Sequence, residues 1–134
     1  MSHYAYSSAR NILVSDNDIT SIVDTSNIKV GFSVEPDAYP CVTLSQIGGE
    51  SYGFLGYKNA SIGSRNRGDS WLMQVDIYSR DSVAQVQLIA DEIEKAFHIS
   101  GSGYRKVGDV DGFEEGLKAY HKVQTWSCLR VTQD

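Results

Sequence analysis

The chain has 134 residues, of which 41% are hydrophobic and 22% charged, and a formal net charge of −5. A chain of this size buries roughly 68% of its unfolded surface, which makes a single domain spanning 1–134 and excludes intrinsic disorder. The acidic balance argues against coating nucleic acid. The apolar runs fall far short of the ~20 residues that cross a bilayer, so no membrane association is expected.

Met1-Ser2-His3-Tyr4 lacks the basic and apolar regions of a signal peptide, which points to the cytoplasm as the place of synthesis. Ala9, Ile12, Leu13, Ile19, Ile22 and Val23 then fit two short helices, with Ser15 or Asp16 capping the second. Asn27 to Ser33 alternates like a strand. Pro36 and Pro40 punctuate the loop that follows, and Cys41-Val42-Thr43-Leu44 makes a second strand. The span of about 47–69 is different in kind. Gly48, Gly49, Gly53, Gly56, Gly63 and Gly68 lie among Tyr52, Phe54, Tyr57, Arg65 and Arg67, which predicts a long loop or hairpin rather than a rigid element.

Ser70 to Ile99 carries the strongest pattern in the chain. Trp71, Met73, Val75 and Ile77 alternate with Leu72, Gln74, Asp76 and Tyr78, the period of a strand with one greasier face. Ser82-Val83-Ala84-Gln85 supplies a capping box. Val83, Val86, Ile89, Ala90, Ile93, Ala96 and Phe97 then fall on one helical stripe. After Gly101-Ser102-Gly103 a strand is predicted over Tyr104–Val110. Asp111-Gly112 is a turn signal, although the segment after it does not suit a two-residue hairpin. The last strand, Ala119–Val131, places Val123, Thr125, Leu129 and Val131 on one face and Trp126 and Cys128 on the other. The fold class is α+β: a mostly antiparallel β-sheet packed against one main α-helix, with a short helical N-terminal segment.

Catalytic chemistry finds no residues to point at. His3, His98 and His121 are scattered, and neither HxxxH nor CxxC occurs, so no metal site is expected. His98 suits a helix C-terminus as a complement to the helix dipole. Asp91, Glu92, Glu94 and Lys95 form a solvated helix face, and Asp109, Asp111, Glu114 and Glu115 an exposed acidic turn without the calcium-loop pattern. The glycine pairs lack the strand and helix that a phosphate-binding loop requires. Cys41 and Cys128 are expected as buried thiols rather than a disulfide. The chain is therefore expected to be no enzyme and to need no cofactor. Arg65-Asn66-Arg67 is the local positive cluster, and Arg65, Arg67, Asp69 and Trp71 are the candidate contact residues.

The run Trp71-Leu72-Met73-Gln74-Val75-Asp76-Ile77-Tyr78-Ser79, followed by Gln85-Val86-Gln87-Leu88-Ile89-Ala90-Asp91-Glu92-Ile93, resembles the core of the phage tail completion and tail terminator proteins. Tyr39-Pro40-Cys41-Val42-Thr43-Leu44 resembles a segment that follows that family's N-terminal helix. The resemblance covers residues 8–131 by order of elements and about 35 residues by motif.

It implies a non-enzymatic virion subunit that forms a ring, typically a hexamer, at the head-proximal end of a tail tube. Such a ring ends tube polymerisation and joins tail to head. The implied partners are further copies of the chain, the tail tube protein and a head-completion or connector protein, with DNA passing through the lumen unbound. The implied location is the virion, with the host cytoplasm during assembly. A closed ring also needs a heterologous, head-to-tail interface. Three alternatives stay open: another neck or tail-tube protein, a host small-molecule or peptide-binding α+β domain, and an enzyme with an unrecognised site.

Overall fold

The computed structural model describes residues 2–31, 36, 38–55, 66–100 and 103–133. Helix α1 spans Ser2–Val14 and α2 spans Asn17–Thr20, followed by a 3₁₀ turn at Thr25–Asn27 and strand β1 at Ile28–Val30. Strand β2 is Cys41–Leu55, β3 Asn66–Ser79, helix α3 Val83–Ser100, β4 Tyr104–Glu114 and β5 Ala119–Gln133. One sheet results, in the order β1-β2-β3-β5-β4. β1 runs parallel to β2, and every other neighbouring pair is antiparallel. The architecture is α+β, as the sequence predicts.

Of the two candidate caps for α2, the chain uses Asp16. Its carboxylate accepts from the backbone N–H groups of Asp18 at 2.9 Å and Ile19 at 3.3 Å, supplying two of the donors a helix start leaves orphaned. Arg10 fastens α1 to β1 by donating to the carbonyls of Ile28 at 2.8 Å and Thr25 at 3.1 Å. α3 buries Val86, Ile89, Ala90, Ile93, Ala96 and Phe97 against the sheet. Val83 departs from the predicted stripe. It sits in the first turn, ahead of the buried residues, and is 61% exposed.

Only half of the capping box forms. The backbone N–H of Gln85 donates to the Ser82 hydroxyl at 3.1 Å. The Gln85 side chain turns instead to accept from the buried Ser79 hydroxyl, which in turn accepts from the N–H of Asp81. The helix start is thereby tied to the end of β3.

On the sheet, Val42, Leu44, Met73, Val75, Ile77, Trp126 and Cys128 supply the core. Trp126 meets the Phe97 ring edge-on at 4.8 Å, and Phe97 stacks on Tyr104 at 4.7 Å. Between these apolar groups lies Gln124, fully buried. It donates to the Ala90 carbonyl at 3.4 Å and accepts from the Trp126 indole at 3.2 Å, so both ends of its amide are partnered.

Two sequence expectations are corrected. The Gly/Tyr-rich span takes its hairpin form rather than a loop over most of its length: β2 continues to Leu55 and β3 begins at Asn66. Cross-strand hydrogen bonding overrides the weak strand propensity of glycine. Register shifts at Gln46/Gly48 and Ser51/Gly53 absorb the irregularity as bulges. Residues 56–65 lie outside the described residues. Asp111-Gly112 is likewise no turn. The β4–β5 ladder runs through it to Glu114↔Ala119, and the chain reverses at residues 115–118. Lys118 there takes a φ of 52°, the left-handed region.

Candidate functional site

The sheet changes width along its length. Among the described residues, β1 pairs with β2 as far as Val30↔Leu44, and β4 pairs with β5 from Tyr104↔Cys128 onward. Beyond these points β2, β3 and β5 continue as a three-stranded arm to Leu55, Asn66 and Gln133. Arg67 and Asp69 fall on this arm, and Trp71 stands at its base, in the row of Cys128 and Tyr104. They occupy alternate positions of its central strand, opposite Phe54, Ser51 and Gly49 on one side and Thr132, Arg130 and Cys128 on the other. Arg65 lies outside the described residues. Three of the four candidate contact positions thus belong to one stretch of β3: Trp71 as the sequence predicts, and Arg67 and Asp69 on the strand's extension into the span expected as a loop.

At the five-stranded end, the sheet face turned away from the helices carries a charged cluster that sequence reading missed. His121 on β5 meets Glu114 on β4 through Nδ1 at 2.9 Å and Asp76 on β3 through Nε2 at 3.1 Å. Its ring stacks on Tyr78 at 4.1 Å with a 12° tilt, and Gln74 donates to both Asp76 oxygens. Burial opposes the imidazolium, but the hydrogen bonds to Asp76 and Glu114 outweigh it and raise the His121 pKa. With a carboxylate at each ring nitrogen, the doubly protonated ring satisfies both contacts. The Tyr78 phenol is pushed up to about 12, first by burial and then by the charges of Asp76 and Glu114. This arrangement clamps three strands together, with both ring nitrogens engaged by carboxylates.

The expected acidic turn is instead a ladder of pairs on β4. Asp109 accepts from Lys106 at 2.9 Å, which holds the Asp109 carboxyl below its usual range. Lys106 also reaches Glu94 of α3 at 3.2 Å. Asp111 pairs at 2.8 Å with Lys122, whose side chain is only 5% exposed. On α3 the expected solvated face is solvated in part: Asp91 and Lys95 are exposed, while Glu92, 3.4 Å from Lys95, and Glu94 are half-buried. His98 sits in the last helical turn and approaches the Trp126 ring at 6.1 Å.

Asp16, Asp18 and Glu92 bring carboxylate oxygens within 4.8 Å of one another, but Asp16 is already committed to capping α2. Cys41 and Cys128 are both buried. They stand opposite Tyr78 and Trp71, positions seven residues apart on β3, so about 23 Å separates them, far beyond disulfide reach. A groove of about 390 Å³ is lined by Ala38, Tyr39, Pro40, Arg80, Asp81 and Gln85. The Arg80 guanidinium lies 4.1 Å over the Tyr39 ring and donates to the Leu117 carbonyl at 2.9 Å. The Tyr39 hydroxyl is buried without a hydrogen-bond partner among the described residues. None of the described helices is long and apolar enough to cross a membrane.

No family model and no curated protein sequence matches the chain. Among solved structures, the chain is similar to a chain in the virion of the native gene transfer agent (GTA) particle. The two superpose with a TM-score of 0.61 over 92% of each chain at 9% sequence identity. At that identity the likeness is one of fold, and it takes in nearly the whole of both chains.

Proposed function

We propose that this chain is a non-enzymatic structural subunit of a phage-type virion, a single-domain tail terminator. In this reading it assembles with further copies into a ring, a hexamer, at the head-proximal end of a tail tube. The ring stops the tube's growth and presents the surface that meets the head-completion or connector protein, while DNA passes through the lumen unbound. The subunit is made in the host cytoplasm and ends in the virion. The observation that carries the reading is the near-complete fold match to a virion component. It is joined by the strand-to-helix run from Trp71 to Ile93, whose sequence resembles the tail terminator core. The contact residues in this reading are Arg65, Arg67, Asp69 and Trp71, of which Arg67 and Asp69 stand on the three-stranded arm and Trp71 at its base.

Deleting the gene from its phage or prophage and imaging the particles tests this role. Filled heads beside detached, overlong tails are expected; intact particles with tails of normal length would end the reading. Arg65→Glu combined with Arg67→Glu should prevent ring closure and head joining, and unchanged joining would remove the arm from the interface. A host ligand-binding domain is the second reading, favoured by the groove beside Tyr39, whose buried hydroxyl has no partner among the described residues. Intact particles after deletion, with a small molecule retained by the purified protein, would bring it forward.

A further inference from the structure

The two carboxylates that hold His121 are not equivalent. Asp76 and His121 each have a side chain only 13% exposed, and Asp76 also accepts from the Gln74 amide at 2.9 and 3.1 Å. Glu114 is 48% exposed and is the last residue of β4. The residue directly across from His121 on β4 is Gly112, with open space where a side chain would stand. Glu114 is thus the β4 side chain that reaches the ring, and it does so from the end of its strand.

The other titratable and charged groups around the ring leave this inequality in place. On β3, Tyr78 stacks over the imidazole, and its phenol, pushed up to about 12, stays protonated where an imidazole titrates. On β2, Cys41 stands in the same row beyond Tyr78. On β5 itself, Lys122 belongs to the opposite face and pairs with Asp111. Arg80, just past β3, donates through Nε and Nη2 to the Leu117 carbonyl, in the turn behind Glu114. That turn therefore has one side-chain tie that does not titrate, from Arg80, and one beside it that does, from His121 to Glu114.

A neutral imidazole has one N–H and one lone pair, so it can donate to only one of the two carboxylates. A proton kept on Nδ1 would leave a bare Nε2 against the buried Asp76 carboxylate, which has little water to turn to. A proton kept on Nε2 preserves the Asp76 contact. The bare Nδ1 then faces Glu114, whose half-exposed carboxylate exchanges the contact for water at small cost.

We infer that His121 is a one-sided, pH-operated catch: the Nδ1–H proton leaves to water, Nε2 keeps its proton on Asp76, and Glu114 is released, loosening the turn between β4 and β5. The β3–β5 contact stays closed throughout, so the change is local to the hairpin end. It goes beyond the virion reading and holds whatever the chain assembles with.

Imidazole nitrogen NMR of the full chain, titrated through the folded pKa above 6.5, tests the first step. Nδ1 should move to the position of an unprotonated nitrogen while Nε2 keeps that of a protonated one. Amide hydrogen exchange tests the second. The Leu117 and Lys118 N–H groups close the turn by donating to the Glu114 and Glu115 carbonyls at 3.2 and 3.3 Å. As pH rises, their protection should fall about two- to fivefold relative to Glu114→Gln at the same pH, the range of a partly exposed ion pair. The Gln amide accepts from a protonated Nδ1 and donates to a bare one, so the tie in that variant should not depend on pH. A neutral ring with its proton on Nδ1, a ring that keeps both protons until the chain unfolds, or turn protection that follows one pH course in wild type and variant would each overturn the inference.

Discussion

Replacing His121 with Gln perturbs the clamp on the open sheet face while leaving one neutral hydrogen bond in place. The Asp76 contact should contribute most, because both side chains are only 13% exposed. A hydrogen bond to a charged partner in such a setting contributes about 1.5–3 kcal/mol. The Glu114 contact, with its carboxylate 48% exposed, is screened by water and adds about 0–1 kcal/mol. Gln retains about 0.5–1.5 kcal/mol through its one neutral bond, which leaves a net loss of about 2 kcal/mol.

The pH dependence has a definite sign. The folded His121 pKa is raised above its ordinary 6.5, so the stabilisation is complete below that value and is lost as pH rises through the folded pKa. At roughly 3–5 °C per kcal/mol for a chain of this length, Tm of the variant should fall by about 6–10 °C near pH 5.5. The difference from wild type should shrink steadily as pH rises through the folded pKa, above 6.5. Scanning calorimetry of both proteins across that range reads it directly. A gap that stays constant, or widens with pH, would refute the argument that the imidazolium is what holds β3, β4 and β5 together here.

Gln124→Leu should cost about 1–3 kcal/mol in urea unfolding, because it leaves the buried Trp126 indole N–H without its acceptor; an unchanged midpoint would mean that the bond contributes nothing. Ile93→Ala removes a fully buried side chain from the helix–sheet interface and should cost about 2–5 kcal/mol by the same assay. Lys118→Gly should stabilise the chain by up to about 1 kcal/mol, since glycine holds a φ of 52° without steric cost, whereas Lys118→Val should lower Tm.

Local periodicity made much of this fold legible. The strand at Met73–Ile77 and the helix behind it announce themselves by period, because each presents one face to the same core. β5 was harder. Its odd positions, with Val123, Thr125, Leu129 and Val131, carry more aliphatic residues, yet the helices cover the even positions, where Lys122, Gln124, Trp126 and Cys128 are all buried. Counting apolar residues cannot anticipate a glutamine whose amide is satisfied by a helix carbonyl and an indole, nor a lysine whose amine reaches Asp111. The glycines from Gly48 to Gly68 suggested a loop for a related reason: strand formation there depends on partners on both sides of β3, and single-sequence propensity does not see partners. The His121 clamp draws on residues 7 and 45 positions away, so only the register of three strands reveals it. Of the candidate contact residues, Trp71 already stands on the strand that the sequence predicts; the structure extends that strand back through Asp69 and Arg67, which the sequence reading left in the loop.

The clamp and the arm occupy different stretches of the sheet. β4 covers β5 from Ala119 to Cys128, and the arm continues where that cover stops. His121, Asp76 and Glu114 tie β3, β4 and β5 together inside the covered stretch. A loss of stability at the clamp and a loss of assembly at the arm should therefore separate. His121→Gln should lower Tm as argued above without altering the arm positions Arg67 and Asp69, on which ring closure is proposed to depend, whereas Arg65→Glu with Arg67→Glu should leave Tm near the wild-type value, because exposed charges contribute little to stability.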